Sequence, residues 1–245
     1  MKSPPLKISV IIPTLCEAGR ISRLLESLCV QEYSGPVEVI VVDGNSDDGT
    51  HSEVGQFPEV RLLVRETAGT SAQRNLGAAA ATGDLLIFMD ADNNPPPDFL
   101  TRVARSYCRK PFAVACPWFV ADSRHPGIRL IYFVFNCLFW LSQWRFHTGS
   151  GVCIIMPRAT FLQVGGFNEE LRLGEDIDLI RRAARCGRHR HLFVPLRTSA
   201  RRFERFGIWN MVRFYARISP LLLSGNFSAV QDFPYEPAPY RPPQR

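Results

Sequence analysis

The sequence lacks most of the signatures that would place it at once. Its seven cysteines form no C-x-x-C pair and no cysteine–histidine set with zinc spacing. That excludes a zinc ribbon and a disulfide framework, and it fits reduced thiols in a cytoplasmic protein. No apolar leader follows Met1, because Lys2-Ser3-Pro4-Pro5 runs straight into a short strand-like segment, so no secretory signal is expected. No apolar run reaches the roughly 20 residues of a spanning helix. The stretch Leu15-Cys16-Glu17-Ala18-Gly19-Arg20 after the first strand is not a Gly-rich, Lys-bearing phosphate loop, which counts against a nucleotidyltransferase. There is no internal repeat. Basic residues are not interleaved with aromatics on a recognisable module, so nucleic acid is not an expected partner. Lysine itself is scarce: only Lys2, Lys7 and Lys110 among 29 basic residues.

What is present is a core-forming chain with a lopsided charge. Of its 245 residues 46% are hydrophobic, enough for one large α/β domain. Residues 1–122 carry 11 basic against 15 acidic residues, and residues 123–245 carry 18 against 8. A strongly basic second half suggests a surface that faces phosphates. Two segments bear on membranes. Leu130 to Trp144 is aromatic-rich with Arg129 and Arg145 at its ends, and Gly207 to Gly225 mixes Arg213 and Arg217 with apolar residues around Pro220. Each reads either as an interfacial helix or as a helix packed on the domain, so contact at the inner face of a membrane stays open.

Lys7 to Pro13, Val37 to Val42 and Leu85 to Met89 read as buried strands, and Val60 to Val64 as a further strand. Ile21, Leu24, Leu25 and Leu28 mark a helix between the first two, and a small-residue helix spans about Ser71 to Ala81. The alternation predicts a Rossmann-like, mostly parallel sheet flanked by helices, with ligands beyond the carboxyl ends of its strands. Thr14 to Glu17, Asp43 to Thr50 and Asp90 to Asn94 are then expected to converge on one crevice. Further on, Phe112 to Val120 and Val152 to Met156 suggest strands, and Glu175 to Cys186 a helix. One domain over 1–232 is expected, with two halves that meet at about residue 122. The tail 233–245 holds five prolines and reads as an extended end.

Asp90-Ala91-Asp92 follows a buried strand, and an extended i, i+2 pair points both carboxylates one way. Hard oxygens so placed suit Mg²⁺ or Mn²⁺, completed by water and phosphate oxygens, although acidic turns are common. Asp43 at a strand mouth could accept from a base or a ribose, or could simply form an Asx-turn. Glu17 could complement a helix dipole. Arg74 could reach the crevice, though a solvated arginine is the default. Gly174-Glu175-Asp176-Ile177-Asp178 opens an amphipathic helix, where acids favour the dipole and could also supply a general base. His189 and His191 read as surface residues.

Taken together the motifs have a pattern. Ile11-Ile12-Pro13-Thr14 with Glu17, Val41 to Thr50, Arg74-Asn75-Leu76-Gly77, Thr82-Gly83-Asp84, Phe88 to Asp92, Gly165 to Glu169 and Gly174 to Leu179 occur in order over about residues 7–200. This resembles the family-2 glycosyltransferases of the GT-A fold, which are inverting enzymes. The resemblance implies a nucleotide-diphosphate sugar as donor and a hydroxyl or phosphate acceptor, with a polyprenyl-linked one among the candidates. It implies that Pro13, Thr14, Glu17 and Asp43 hold the nucleoside and that Arg74 helps to place it. Asp90 would contact ribose or metal, Asp92 metal and diphosphate, and Asp176, beside Glu175, would be the base. Thr198-Ser199-Ala200-Arg201-Arg202 resembles a basic segment that closes over the diphosphate; a surface basic run is the alternative. Cys16 stands where many relatives have Asn, and Gly44 where they have a second Asp. A non-catalytic module with this fold is the contrary reading, and the intact carboxylate clusters count against it.

Overall fold

The structure is a computed structural model that describes residues 5–231 and Phe233. The expectation of an extended Pro-rich tail falls almost wholly outside these residues. In chain order the elements begin β1 (Ile8–Thr14), α1 (Ile21–Cys29), β2 (Val37–Asp43), α2 (Thr50–Val54), β3 (Val60–Val64), α3 (Thr70–Ala80), β4 (Leu85–Met89), β5 (Asn93–Asn94) and α4 (Phe99–Arg109). They continue β6 (Val114–Asp122), α5 (Pro126–Ser142), β7 (Cys153–Pro157), α6 (Arg158–Gln163), α7 (Glu175–Ala184), β8 (His189–Ser199), α8 (Arg201–Phe206), α9 (Ile208–Ser224) and α10 (Phe227–Gln231).

The strands form one eight-stranded sheet in the order β3-β2-β1-β4-β7-β6-β8-β5. The first four are parallel, as continuous apolar runs such as Ile8 to Ile12 and Leu85 to Met89 require when helices cover both faces. β7 then runs antiparallel to both β4 and β6, and β6 and β8 are parallel to each other. The sheet is therefore mostly parallel, with β7 reversed inside it and the short β5 antiparallel to β8 at its edge.

One core fills the side of the sheet under α1 and α4, from Ile8, Val10 and Ile12 to Leu24, Phe99 and Val103. A second lies under α3 and α7, joining Ile11, Val42 and Phe88 to Phe161, Phe167 and Ile180. α3 packs flat on β1 because Gly77 has no side chain; a Cβ there would collide with Ile11 and come within 3.1 Å of Val42. Its small residues allow the close approach that carries Arg74 inward.

β8 lies outside the strands expected from the sequence. His189 and His191 on it are each only 6% exposed, which corrects their reading as surface residues. α5 is a helix, started by the His125 side chain accepting from Gly127 N–H at 3.1 Å and by Pro126. It is not buried: only Ile128, Asn136 and Ser142 are covered, whereas Leu130, Phe133, Val134, Leu138 and Leu141 are exposed. α9 packs through Met211, Ile218 and Leu222. Among the described residues no helix is long and apolar enough to cross a membrane.

Candidate active site

The carboxyl ends of β1, β2 and β4 open on one side of the sheet. Thr14 and Asp43 are register partners, and the Thr14 hydroxyl donates to Asp43 Oδ1 at 2.7 Å. Asp43 is fully buried. It also accepts from the Ser46 hydroxyl at 2.6 Å and the Ser46 N–H at 2.7 Å, and meets His51 Nε2 at 2.6 Å. Asp43 thus bonds its own loop, to Ser46 three residues on rather than in a two-residue Asx-turn, and four partners fill the carboxylate. These hydrogen bonds outweigh the cost of burial and hold its pKa below the usual carboxylate range. Pro13 sits beside this pair at the end of β1.

Glu17 is 7% exposed, its N–H donates to the Thr50 hydroxyl at 3.0 Å, and its carboxylate takes a bidentate pair of bonds from Arg201 at 2.8 and 3.0 Å. Arg201 Nε also lies 3.2 Å from Asp92 Oδ2. One guanidinium from the start of α8 therefore ties the loop after β1 to the loop after β4, so the basic segment enters the crevice there. Arg202 is half-buried beside it.

Asp90 and Asp92 leave β4 at the crevice floor. Asp92 is 12% exposed, and burial, with Asp90 and Glu17 adding repulsion, raises its pKa to about 6 against the pull of Arg201. Asp90 is partly open and accepts from Arg74 at 2.8 Å. Arg74 is not the solvated arginine expected by default: at 2% exposure it is among the largest fully buried side chains of the described residues. It donates to Asp90 and to the Gly151 carbonyl, both at 2.8 Å, lies 3.5 Å from Glu175, and stacks over Phe167 at 5.1 Å.

α7 begins at Gly174, whose φ of 88° suits a residue without a Cβ, and puts Glu175 and Asp176 in its first turn. Asp176 Oδ2 accepts from the Gly151 N–H at 2.6 Å and Oδ1 from the Ile177 N–H at 2.8 Å. A Cβ on Gly151 would stand 3.1 Å from Asp176 Oδ2, so the close approach needs glycine. Burial raises both carboxyls, and Asp176 pushes Glu175 up to about 7. The two N–H donors favour the ionised form of Asp176. Glu175 is therefore the member of the pair that holds a proton more readily, and the N–H bonds to Asp176 work against the burial that raises it.

Among the described residues no group of three or more His, Cys, Asp or Glu could enclose a metal ion. The carboxylates of Asp90 and Asp92 still fit a divalent cation that takes its remaining ligands from diphosphate and water: they are hard donors, and Asp92 sits in an excess of negative charge.

The two sequence departures have local explanations. Cys16 has φ of 53°, the left-handed region that Asn tolerates better than most residues. A Cβ on Gly44 would lie 3.0 Å from Ala68 Cα, so an aspartate would not fit without a shift.

The profile of the family described as Glycosyl transferase family 2 matches residues 9–147, more than half the chain. The chain belongs to this family. A pre-mycofactocin glycosyltransferase of Mycobacterium tuberculosis is 30% identical over 193 residues, covering 74% of this chain and 39% of that protein. A glucosyl-dolichyl phosphate glucuronosyltransferase of Haloferax volcanii is 30% identical over 176 residues, covering 66% and 56%. The chain thus spans well under two thirds of the length of these relatives. Among solved structures, S. aureus TarS 1-349 in complex with UDP superposes with a TM-score of 0.65 at 22% identity, over 80% of this chain and 61% of that one. TarS 1-349 in complex with UDP-GlcNAc gives 0.62 at 23% identity, over 79% and 58%. These structures share the GT-A fold with this chain.

Proposed function

We propose that this chain transfers a sugar, with inversion, from a nucleoside diphosphate to an acceptor oxygen. The observation that carries the reading is buried Arg74, which joins the β4 carboxylate Asp90 to the α7 carboxylates across one crevice. Arg74 sets a fixed cation between the two acidic clusters, 2.8 Å from Asp90 and 3.5 Å from Glu175.

Pro13, Thr14, Glu17 and Asp43 form the nucleoside end. Because His51 and Ser46 fill the Asp43 carboxylate, a base reaches it only as His51 turns away. Asp90 and Asp92, with the diphosphate, would hold Mn²⁺ or Mg²⁺, which supplies charge neutralisation at the leaving group when bound. Arg201 would exchange its bond to Asp92 for the diphosphate, with Arg202 beside it. Asp176 takes the proton of the acceptor hydroxyl as that oxygen bonds the anomeric carbon; the bond to the diphosphate oxygen breaks and its electron pair leaves with the diphosphate. Protonated Glu175 keeps a second negative charge away from the attacking oxygen.

The UDP complex of TarS and the lipid-linked substrate in the name of the Haloferax relative support testing uridine donors and polyprenyl-phosphate-linked acceptors first. The test is thermal unfolding with UDP and its sugars, with Mn²⁺ or with chelator. A ligand at about 100 times its Kd stabilises by about 2.7 kcal/mol. Shifts that need Mn²⁺, and an Asp176→Asn variant that keeps them while losing transfer, would support the reading. A folded protein that no nucleotide diphosphate stabilises would sink it.

A further inference from the structure

A second feature lies away from these carboxylates. A cavity of about 820 Å³ opens between the C-terminal parts of α4 and α5 and the first residues of β8. Its wall carries Arg102, Arg105, Arg109, Lys110, Arg188 and Arg190. Only Arg102 has a carboxylate in reach, Asp98 at 3.6 Å; among the described residues the other five make no ion pair. Arg190 turns to the carbonyls of Lys110 at 3.2 Å and Ser106 at 3.5 Å, and burial with Arg188 and Arg109 nearby lowers its pKa. His189, at 6% exposure, lines the same cavity with neither ring nitrogen partnered, and His147 beside it leaves Nδ1 unpartnered. A buried polar group without a partner is costly, so these nitrogens call for a ligand or solvent. Uncompensated cations around an orphaned imidazole suit an oxyanion.

What adjoins the cavity narrows the choice. Trp140 and Trp144 line it and stack edge to face at 4.8 Å. From there an exposed apolar stripe follows α5 backwards through Leu141, Leu138, Val134, Phe133 and Leu130, at helical spacings of three and four. Phe133 meets Trp118 at 6.0 Å, Trp118 stacks on exposed Phe193 at 5.3 Å, and Phe193 returns to Trp140 at 6.5 Å. An apolar ridge that ends in tryptophans beside unpaired arginines matches the acyl boundary and head-group layer of a bilayer. Charge complementarity then selects anionic lipid.

We propose that this face docks the protein on an anionic membrane, with a lipid phosphate seated in the arginine cavity and the α5 stripe laid into the interface. It does not rest on the transfer reaction, since none of the crevice carboxylates takes part. Exposed Trp144, beside half-buried Trp140, gives it an optical signal.

The experiment is co-sedimentation of the full chain with vesicles of phosphatidylcholine alone and of phosphatidylcholine with 30% phosphatidylglycerol, alongside tryptophan emission and light scattering. Binding only to the anionic vesicles is expected, weakened by salt, with a blue shift of emission. Each surface arginine contributes a factor of about five to such binding. The triple variant R105Q/R109Q/R188Q, folded by circular dichroism, should therefore bind about a hundredfold more weakly, and Leu138→Gln should lose most of the blue shift. Failure to bind anionic vesicles would overturn the proposal, as would unchanged binding of the folded triple variant. Protection by inorganic phosphate without vesicle binding would assign the cavity to a soluble anion, and a dimer that excludes vesicles would assign the stripe to a second copy; either overturns it.

Discussion

Arg74→Met tests the buried link between the two acidic clusters. Methionine keeps most of the volume while removing the charge and both 2.8 Å bonds. The loss leaves Asp90, Glu175 and Asp176 around an uncharged side chain. Breaking a buried pair from one side costs about 3–5 kcal/mol, because the remaining charge is uncompensated. The cost should depend on pH in a direction the structure fixes. Glu175 has a folded pKa of about 7, above its unfolded value, so its burial penalty is absent at low pH and grows as pH rises through that range. Without Arg74 its pKa moves higher still. At pH 5.5 Glu175 is protonated in both proteins and adds nothing to the difference. At pH 8 it is mostly ionised in the wild type and not in the variant, adding about 1.4 kcal/mol for each unit between pH and the wild-type pKa. Urea unfolding followed by tryptophan fluorescence, at pH 5.5 and 8.0, measures both numbers. A destabilisation below about 1 kcal/mol, or one equal at the two pH values, would refute the view that the Arg74 charge offsets the burial of the α7 carboxylates.

Other consequences follow from single contacts. Burial raises the pKa of Asp92 to about 6, so Mn²⁺ affinity should hold at pH 7.5 and fall about tenfold per unit below pH 6, which removes about 1.4 kcal/mol of the Mn²⁺-dependent UDP stabilisation per unit; a pH-independent metal effect would take Asp92 out of the metal site. In the apo protein the raised pKa of Asp92 costs about 3 kcal/mol above pH 6 and nothing below about pH 4, so stability should decline across that window. Gly151→Ala puts a methyl 3.1 Å from Asp176 Oδ2 and should lower turnover at least about tenfold with the fold intact, since about 1.4 kcal/mol of misplacement suffices; unchanged turnover would mean that Asp176 is not held by this loop. Cys16→Asn relieves a left-handed backbone at φ 53° and should stabilise by about 1 kcal/mol in the same unfolding assay, whereas a loss of stability would show that the Cys16 thiol outweighs the strain.

How much of this was readable beforehand depended on whether a residue's surroundings were local. β1, β2 and β4 stand where apolar runs end in turn residues, because burial on both faces leaves that mark in the chain itself, whereas β3, at the sheet edge, has no buried residue. The Asp90-Ala91-Asp92 turn could be placed for the same reason. β8 could not: His189, Arg190, His191, Pro195 and Arg197 interrupt any apolar alternation, and the strand forms because β6 offers a parallel partner from Val114 to Asp122. His189 and His191 are buried by that pairing and by the ring of Phe139, which lies over His191 at 5.8 Å from the far end of α5.

Arg74 shows the limit most sharply. In its own helix nothing distinguishes it from a surface arginine, and its first turns hold only Thr70, Ser71, Ala72 and Gln73. Its burial is decided by Gly77, which lets α3 settle on β1, and by an acid 101 residues away on α7. The sequence motif around Arg74-Asn75 and the one at Gly174 to Asp178 therefore describe a single object. Asn75 strengthens the same conclusion, for its side chain donates to the Phe167 carbonyl at 2.9 Å and to Glu169 at 2.8 Å while accepting from the Phe167 N–H. α3 is thus the element that fixes residues 165–178 against β1 and β4. Substitutions on its inner face should disturb both clusters together, where substitutions on either cluster alone disturb one.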